Sequence, residues 1–333
     1  MYLWAFRFRK LQEFFVKSFF VGLVLVTLIV AGGCAKIVGP YYLEKGEYEE
    51  GLQVLGDRLK ENPEDASSAY YVGRYYLGLN QPQKGFSYLE KAVQLAPDNA
   101  DYVFWTGVAH WAMLDFEAEK AAYERALAID PDHISANLYL GHGFIDQGLW
   151  TEALVQYQKV IKLDKYNPEA LYNKALALGK LDRTTEELAA WLQFLEYYPD
   201  GTLAMQATER LNLLGDFTYR NFILGQRNVT LRSMTFKPGT DVLDTDSKTS
   251  LHVISAMMST NKSLDIHVVG YVKDNKSLAY KRAAAVRDYI VRSNPRIASK
   301  RLPLSWFRTS EIVEVNGKKH SLNDSVQFIT VVR

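Results

Sequence analysis

A 34-residue period runs through the middle of this chain and limits its fold more than any other feature. Small residues recur as Gly39, Gly73, Gly107, Gly141 and Ala175, each 34 positions after the last. Leu55, Leu89, Tyr123, Tyr157 and Trp191 form a second column, and Ala92, Ala126, Val160 and Phe194 a third. A fourth is Pro63, Pro97, Pro131 and Pro199, interrupted only by Lys165. Columns sharing one register predict a stack of equivalent units, each burying its apolar face against its neighbours. Within a unit the apolar residues fall at helical spacing, which predicts two amphipathic helices. The small residue on the first helix admits the large side chain of the second. The proline closes a unit because it cannot continue a helix interior and presets the start of the next one. Five units are expected: 32–65, 66–99, 100–133, 134–167 and 168–201. Residues 202–226 are expected to be a capping helix and linker, the helix carrying Leu203, Met205, Ala207, Leu211, Leu213 and Leu214.

The period, the small residue eight positions in, the leucine or aromatic at 24 and the proline at 32 resemble the tetratricopeptide repeat. That resemblance implies an all-α solenoid with a concave groove lined by first-helix residues. Here the groove positions include Tyr70, Arg74, Phe104, Trp111, Leu138, His142, Tyr172 and Lys180. Aromatic faces with scattered polar groups suit a protein or peptide partner.

The first 34 residues read as a targeting segment. Arg7, Arg9, Lys10 and Lys17 make a basic start, and Phe19–Ala31 is uncharged and largely apolar. That run suits the core of a signal peptide and falls short of the ~20 residues that span a bilayer. Ala31-Gly32-Gly33 then precedes the chain's one cysteine, Cys34. The arrangement resembles the lipobox of bacterial lipoproteins. It implies that 1–33 are removed, that Cys34 carries acyl chains including palmitate, and that the protein is held to a membrane by them. Ala35 at the second mature position implies the outer membrane, facing the periplasm. The other reading is an uncleaved anchor in which Cys34 is incidental.

Charge separates the remainder. The chain nets +1, residues 1–34 net +3 and residues 226–333 net +9, which leaves about −11 for 35–225. Opposed halves suggest separate domains with separate partners. After Arg227 the pattern turns mixed. Strands are expected over 229–236, 264–271, 302–308 and 325–332, with helices over 247–258 and 277–292. The order is β-α-β-α-β-β, an α+β sandwich.

That order, together with Phe236, Leu243, Leu251, Val268-Val269-Gly270, Asn275-Lys276-Ser277-Leu278, Arg282-Ala283 and Tyr289, resembles the OmpA-like peptidoglycan-associated domain over 227–333. In that family an aspartate meets the ammonium and an arginine the carboxylate of the stem peptide. Asn275, Leu278, Arg282 and Ala283 match the second motif. Lys273 stands at the aspartate position, so Asp274 is the candidate substitute. The family's late Asn-Arg-Arg is Asn323-Asp324-Ser325 here. The resemblance therefore implies peptidoglycan binding through Asp274, Asn275 and Arg282.

Nothing in the sequence points to catalysis. The six histidines are scattered without metal-ligand spacing, and no phosphate loop, dinucleotide fingerprint or nucleophile elbow occurs. No metal, cofactor or nucleic acid is expected. The function expected is a membrane-anchored periplasmic scaffold or assembly lipoprotein. A plain tether between outer membrane and peptidoglycan, or a regulatory subunit of an envelope enzyme, are the alternatives.

Overall fold

The helix starts of the repeats are set by capping residues that share the 34-residue register. Asp65, Asn99, His133 and Asn167 each accept a hydrogen bond from the backbone N–H three residues on, satisfying a donor that the first helical turn leaves open. His133 does this with Nδ1, at 3.0 Å from Ala136 N, while its Nε2 lies 3.0 Å from Asp101 Oδ1. Only the Nδ1 acceptor tautomer serves both bonds, with Nε2–H donating to the carboxylate. The prolines stand two residues before these caps. They sit in the inter-unit turn and leave the start of the next helix to the capping side chain.

The computed structural model describes residues 35–331, in two compact units within 1–147 and 148–333. The expected signal segment and Cys34 lie outside the described residues. The first unit holds α1 (Ala35–Lys45), α2 (Tyr48–Glu61), α3 (Ala66–Gly78), α4 (Pro82–Leu95), α5 (Ala100–Ala112), α6 (Phe116–Ile129) and α7 (Ile134–Asp146). The small column does what its position suggests. A Cβ on Gly73 would come within 2.6 Å of Leu89 Cγ, and one on Gly107 within 2.5 Å of Tyr123 Cε1. Leu55, Leu89, Ala92, Tyr123 and Ala126 are accordingly all but inaccessible.

Between the two helices of each repeat one residue takes a left-handed backbone conformation. These are Gly46, Asn80, Leu114, Gly148 and Asp182, at φ 71°, 55°, 62°, 72° and 56°. Glycine, asparagine and aspartate tolerate that region. Leucine does not.

The second unit begins with α8 (Trp150–Leu163), α9 (Pro168–Lys180), α10 (Thr184–Tyr197) and α11 (Thr202–Leu213). The expected helix and linker over 202–226 is corrected here. The helix stops at Leu213, and β1 (Tyr219–Leu224) pairs antiparallel with β2 (Arg227–Arg232). Then come α12 (Ser247–Thr260), β3 (Asp265–Val272), α13 (Lys276–Ser293), β4 (Leu304–Phe307), β5 (Glu311–Val315), β6 (Lys318–Leu322) and β7 (Asp324–Val331). β3 is central in a three-stranded sheet, parallel to β4 and antiparallel to β7. Helices α12 and α13 cover one face through Leu251, Ile254, Met258, Val286 and Ile290, against Ile266, Val268 and Phe328. The α+β order is thus extended by strands that its short expected form lacks: β1 before the first helix, and the separate β5–β6 hairpin.

The last repeat and this α+β region share a core. Tyr219 of β1 is buried in one cluster with Trp191, Phe194 and Leu211. Asn221 Nδ2 donates to Met205 O at 3.0 Å, and Asn212 Nδ2 to the carbonyls of Asp216 and Tyr219 at 2.8 Å. Arg232 bridges Glu196 on α10 (3.1 Å) and Asp246 before α12 (2.9 Å).

Candidate functional site

The eight expected groove residues divide by burial. In the first unit Tyr70, Phe104 and Leu138 are 6%, 4% and 7% exposed, so they are packing residues and the groove assignment is corrected for them. Tyr70 stacks on Tyr102 with ring centroids 4.7 Å apart, and Phe104 lies within 5.2–5.4 Å of the rings of Tyr123, His133 and Tyr139. Tyr70 and Phe104 are buried because their helices pack against the next repeat as well as against their own partner helices. A linear pattern of groove positions does not separate the two faces.

Arg74 remains at the surface margin. It donates to Tyr70 Oη at 3.1 Å, and its guanidinium sits 3.9 Å from the ring centroid of Trp105. Trp105 is half-buried and was not among the expected groove residues; the sign that could have found it is its place one turn from Arg74's repeat equivalent. His142 is half-buried beside the Tyr139 ring. Trp111 is 54% exposed, at the C-terminal end of α5, near Leu114 (74%) in the following turn and Phe116 (54%) at the start of α6.

In the second unit Tyr172 is half-buried. Its hydroxyl donates to Gln206 Oε1 at 2.9 Å, and its ring meets Trp191 and Phe194 edge-on. Burial pushes its phenol above the ordinary tyrosine range. Lys180 is exposed, with Nζ 5.6 Å from the Trp150 ring centroid. A network that the repeat pattern does not announce lies next to Tyr172. Glu187, 2% exposed, accepts from Trp191 Nε1 at 3.1 Å and from Arg210 Nε at 2.6 Å, tying α10 to α11.

The three motif residues of the C-terminal region do not converge on a ligand. Asn275 caps α13, its side-chain oxygen accepting from Leu278 N at 2.9 Å. Asp274 is exposed at φ 62°, its N–H bonded to Arg308 O. The Arg282 side chain is 5% exposed and already engaged. It donates from Nε to Thr240 O and from Nη1 to Asp324 Oδ2, both at 2.9 Å, and lies 4.7 Å from the Phe236 ring centroid. Asp324 stands where the family resemblance has an arginine. A carboxylate from within the chain therefore holds the guanidinium that the resemblance assigns to a ligand carboxylate. The expectation that Asp274, Asn275 and Arg282 form one binding site is corrected accordingly.

A charge pair with both side chains buried joins residues 91 positions apart. Arg220 of β1 is bidentate to Glu311 of β5, at 3.0 and 2.7 Å, with side chains 10% and 5% exposed. Ser325 Oγ donates to the same carboxylate at 2.6 Å. Among the described residues no group of three or more His, Cys, Asp or Glu side chains could hold a metal ion, and no helix is long and apolar enough to cross a membrane.

Comparison with known proteins agrees with this architecture. Tetratricopeptide repeat models match residues 39–100, 73–134 and 169–201, a TPR repeat model matches 141–182, and the OmpA family model matches 235–323. No curated protein matches the chain. Among solved structures, PilF of Pseudomonas aeruginosa aligns with a TM-score of 0.51 at 16% identity, over 56% of this chain and 84% of its own. MamA aligns at 0.43 and 21%, over 50% and 91%. YrrB aligns at 0.43 and 20%, over 51% and 88%. Only the first likeness is close enough to speak for the fold, and it speaks for nothing further. Tetratricopeptide repeats suggest protein–protein interaction, and the OmpA family suggests association with peptidoglycan. The chain carries tetratricopeptide repeats over residues 39–201 and an OmpA-family domain over 235–323.

Proposed function

We propose that this protein is a non-catalytic scaffold of a bacterial envelope: a lipoprotein held to the outer membrane through Cys34, facing the periplasm. Its repeats hold a protein partner and its OmpA-type domain docks on the cell wall. The observation that carries the reading is the shared core at the end of the repeat array. Tyr219 packs among Trp191, Phe194 and Leu211, and Arg232 ties Glu196 to Asp246. A partner held by the last repeats is then fixed relative to whatever the C-terminal domain holds, which a flexible linker would not achieve.

The wall contact in this reading does not run through Arg282, whose side chain is 5% exposed and held by Thr240 O and Asp324. Two measurements on the full chain test the proposal. Cys34→Ser should move the protein from the membrane fraction to the soluble periplasmic fraction. The protein released in this way should still co-sediment with purified peptidoglycan sacculi at physiological salt. Loss of sedimentation on raising salt to physiological strength would reduce the contact to general basicity and refute wall docking.

A further inference from the structure

One end of the three-stranded sheet carries an aromatic corner that the repeats, the hydrophobic core and the motif arginine leave unused. Trp306 lies on β4, an edge strand whose ladder partner is β3. Its cross-strand neighbour is Gly270, which offers no side chain to cover the indole. The space above Gly270 is filled by the backbone of α13 at Ala279. The indole is thus displaced outward to the first turns of that helix and meets Tyr280. Their ring centroids are 4.8 Å apart with planes at 64°. Trp306 is 36% exposed and Tyr280 43%. Lys276 and Ser277, both exposed, line the same depression.

We propose that this corner binds a glycan: a strand of β-linked pyranose rings bearing acetamido or carboxyl substituents. A pyranose presents a face of C–H bonds and an equator of hydroxyls. The C–H face packs on an indole or phenol π-face, whose negative quadrupole attracts the polarised hydrogens. Both rings keep exposed surface, 43% for Tyr280 and 36% for Trp306, on which a sugar face can pack. Lys276 and Ser277 line the same depression and supply an ammonium and a hydroxyl for the sugar's oxygens, acetamido carbonyl or carboxylate. Protein interfaces are enriched in aromatics but depleted of lysine and serine. The corner has cationic and hydroxyl groups, and it lies in the segment that nets +9.

This inference deepens the wall-docking reading and rests on it for the source of the glycan. With Arg282 closed by Asp324, the domain contacts the sugar strand and not the stem peptide. The test uses the full chain and two ligands. One is a soluble hexamer of β-1,4-linked N-acetylglucosamine, titrated by calorimetry; the other is intact sacculi in sedimentation. The variants are Trp306→Ala, Tyr280→Ala and the conservative Trp306→Phe. Phe116→Ala removes an exposed aromatic ring of the first unit and serves as control.

The expected result is hexamer binding in the range of about 0.1–1 mM, weakened at least about tenfold by either alanine variant. Trp306→Phe should retain most of it and Phe116→Ala all of it, and retention on sacculi should fall in parallel with the hexamer. Hexamer binding indifferent to Trp306 and Tyr280 would overturn the proposal. So would wild-type protein that sediments with sacculi yet ignores the hexamer, an outcome that leaves wall docking standing. Hexamer binding that depends on Trp306 without retention on sacculi would keep the glycan site and assign it to a polysaccharide other than the wall.

Discussion

Leu114 sits at a position where four equivalent turns carry glycine, asparagine or aspartate, and replacing it should stabilise the first unit. The left-handed conformation costs an L-residue with a branched side chain about 1–2 kcal/mol, because Cβ crowds the following carbonyl oxygen. Leu114 takes that conformation at φ 62° and is 74% exposed, so little burial offsets the cost. Asparagine, which Asn80 already supplies at φ 55°, should recover about 1 kcal/mol. Glycine should recover less, since its freer unfolded chain returns about 0.5–1 kcal/mol of the gain.

The reciprocal change is Gly46→Leu. Gly46 has φ 71° and no heavy atom within 4 Å of its would-be Cβ, so the substitution isolates the backbone effect. It should destabilise by about 1–2 kcal/mol. The assay is thermal and urea unfolding of the full chain, fitted to the transition of the first unit, where 1 kcal/mol corresponds to about 2–4 °C. If Gly46→Leu destabilises while Leu114→Asn is neutral or worse, the leucine makes contacts that outweigh its strain. If both changes are silent, the backbone argument is wrong.

Three further outcomes follow from the same kind of geometry. Gly270→Ala would drive a methyl group into the carbonyl oxygen of Ala279 and to 3.2 Å from Ala283 Cβ, prising α13 from the sheet. A loss of about 3 kcal/mol or outright misfolding is expected, read as a shifted urea midpoint. Arg220→Ala would leave the Glu311 carboxylate, 5% exposed, with Ser325 and no cation, and should cost about 3–5 kcal/mol. The paired change Arg220→Met with Glu311→Leu should cost less than either single change, and a larger loss in the pair would contradict the reasoning. The hydrogen bond from His133 holds the Asp101 carboxyl below its ordinary pKa of 3.8, against the opposing effect of burial. A lowered folded-state value means that the stability from this bond is full above the ordinary carboxylate range and fades as pH falls through the lowered value. Acid unfolding of the first unit should therefore show a contribution below about pH 4 that Asp101→Asn removes. An unchanged acid profile in that variant would show that the bond is not coupled to folding.

The repeat architecture was legible in the primary structure, because a 34-residue register of small and large residues has few packing solutions. Gly107 admits Tyr123 and Gly73 admits Leu89, each pair sixteen residues apart in one helical hairpin. The column of capping residues at 65, 99, 133 and 167, and that of left-handed turn residues at 46, 80, 114, 148 and 182, were equally local. His133 and Leu114 hid them by departing from the usual residue types. The order of the helices and of β3, β4 and β7 was legible for the same reason: each follows from periodicity within its own segment.

Contacts between segments distant in the chain leave no such periodic trace and emerge only on folding. Tyr70 and Phe104 occupy groove positions in the repeat pattern, yet their neighbours are rings on adjacent helices. Strand β1 carries no strand signal in sequence, because Tyr219–Leu224 does not alternate cleanly between apolar and polar residues. It is held by Arg220 to Glu311, 91 positions away. Arg282 matches a ligand-binding motif residue for residue. Its partner Asp324 stands 42 positions on, and a motif records the residue that offers a charge, never the one that takes it up. The aromatic corner has the same origin: Tyr280 and Trp306 carry no pattern in sequence, and the bare backbone of Gly270, with α13 packed tightly over it, leaves them together at the surface.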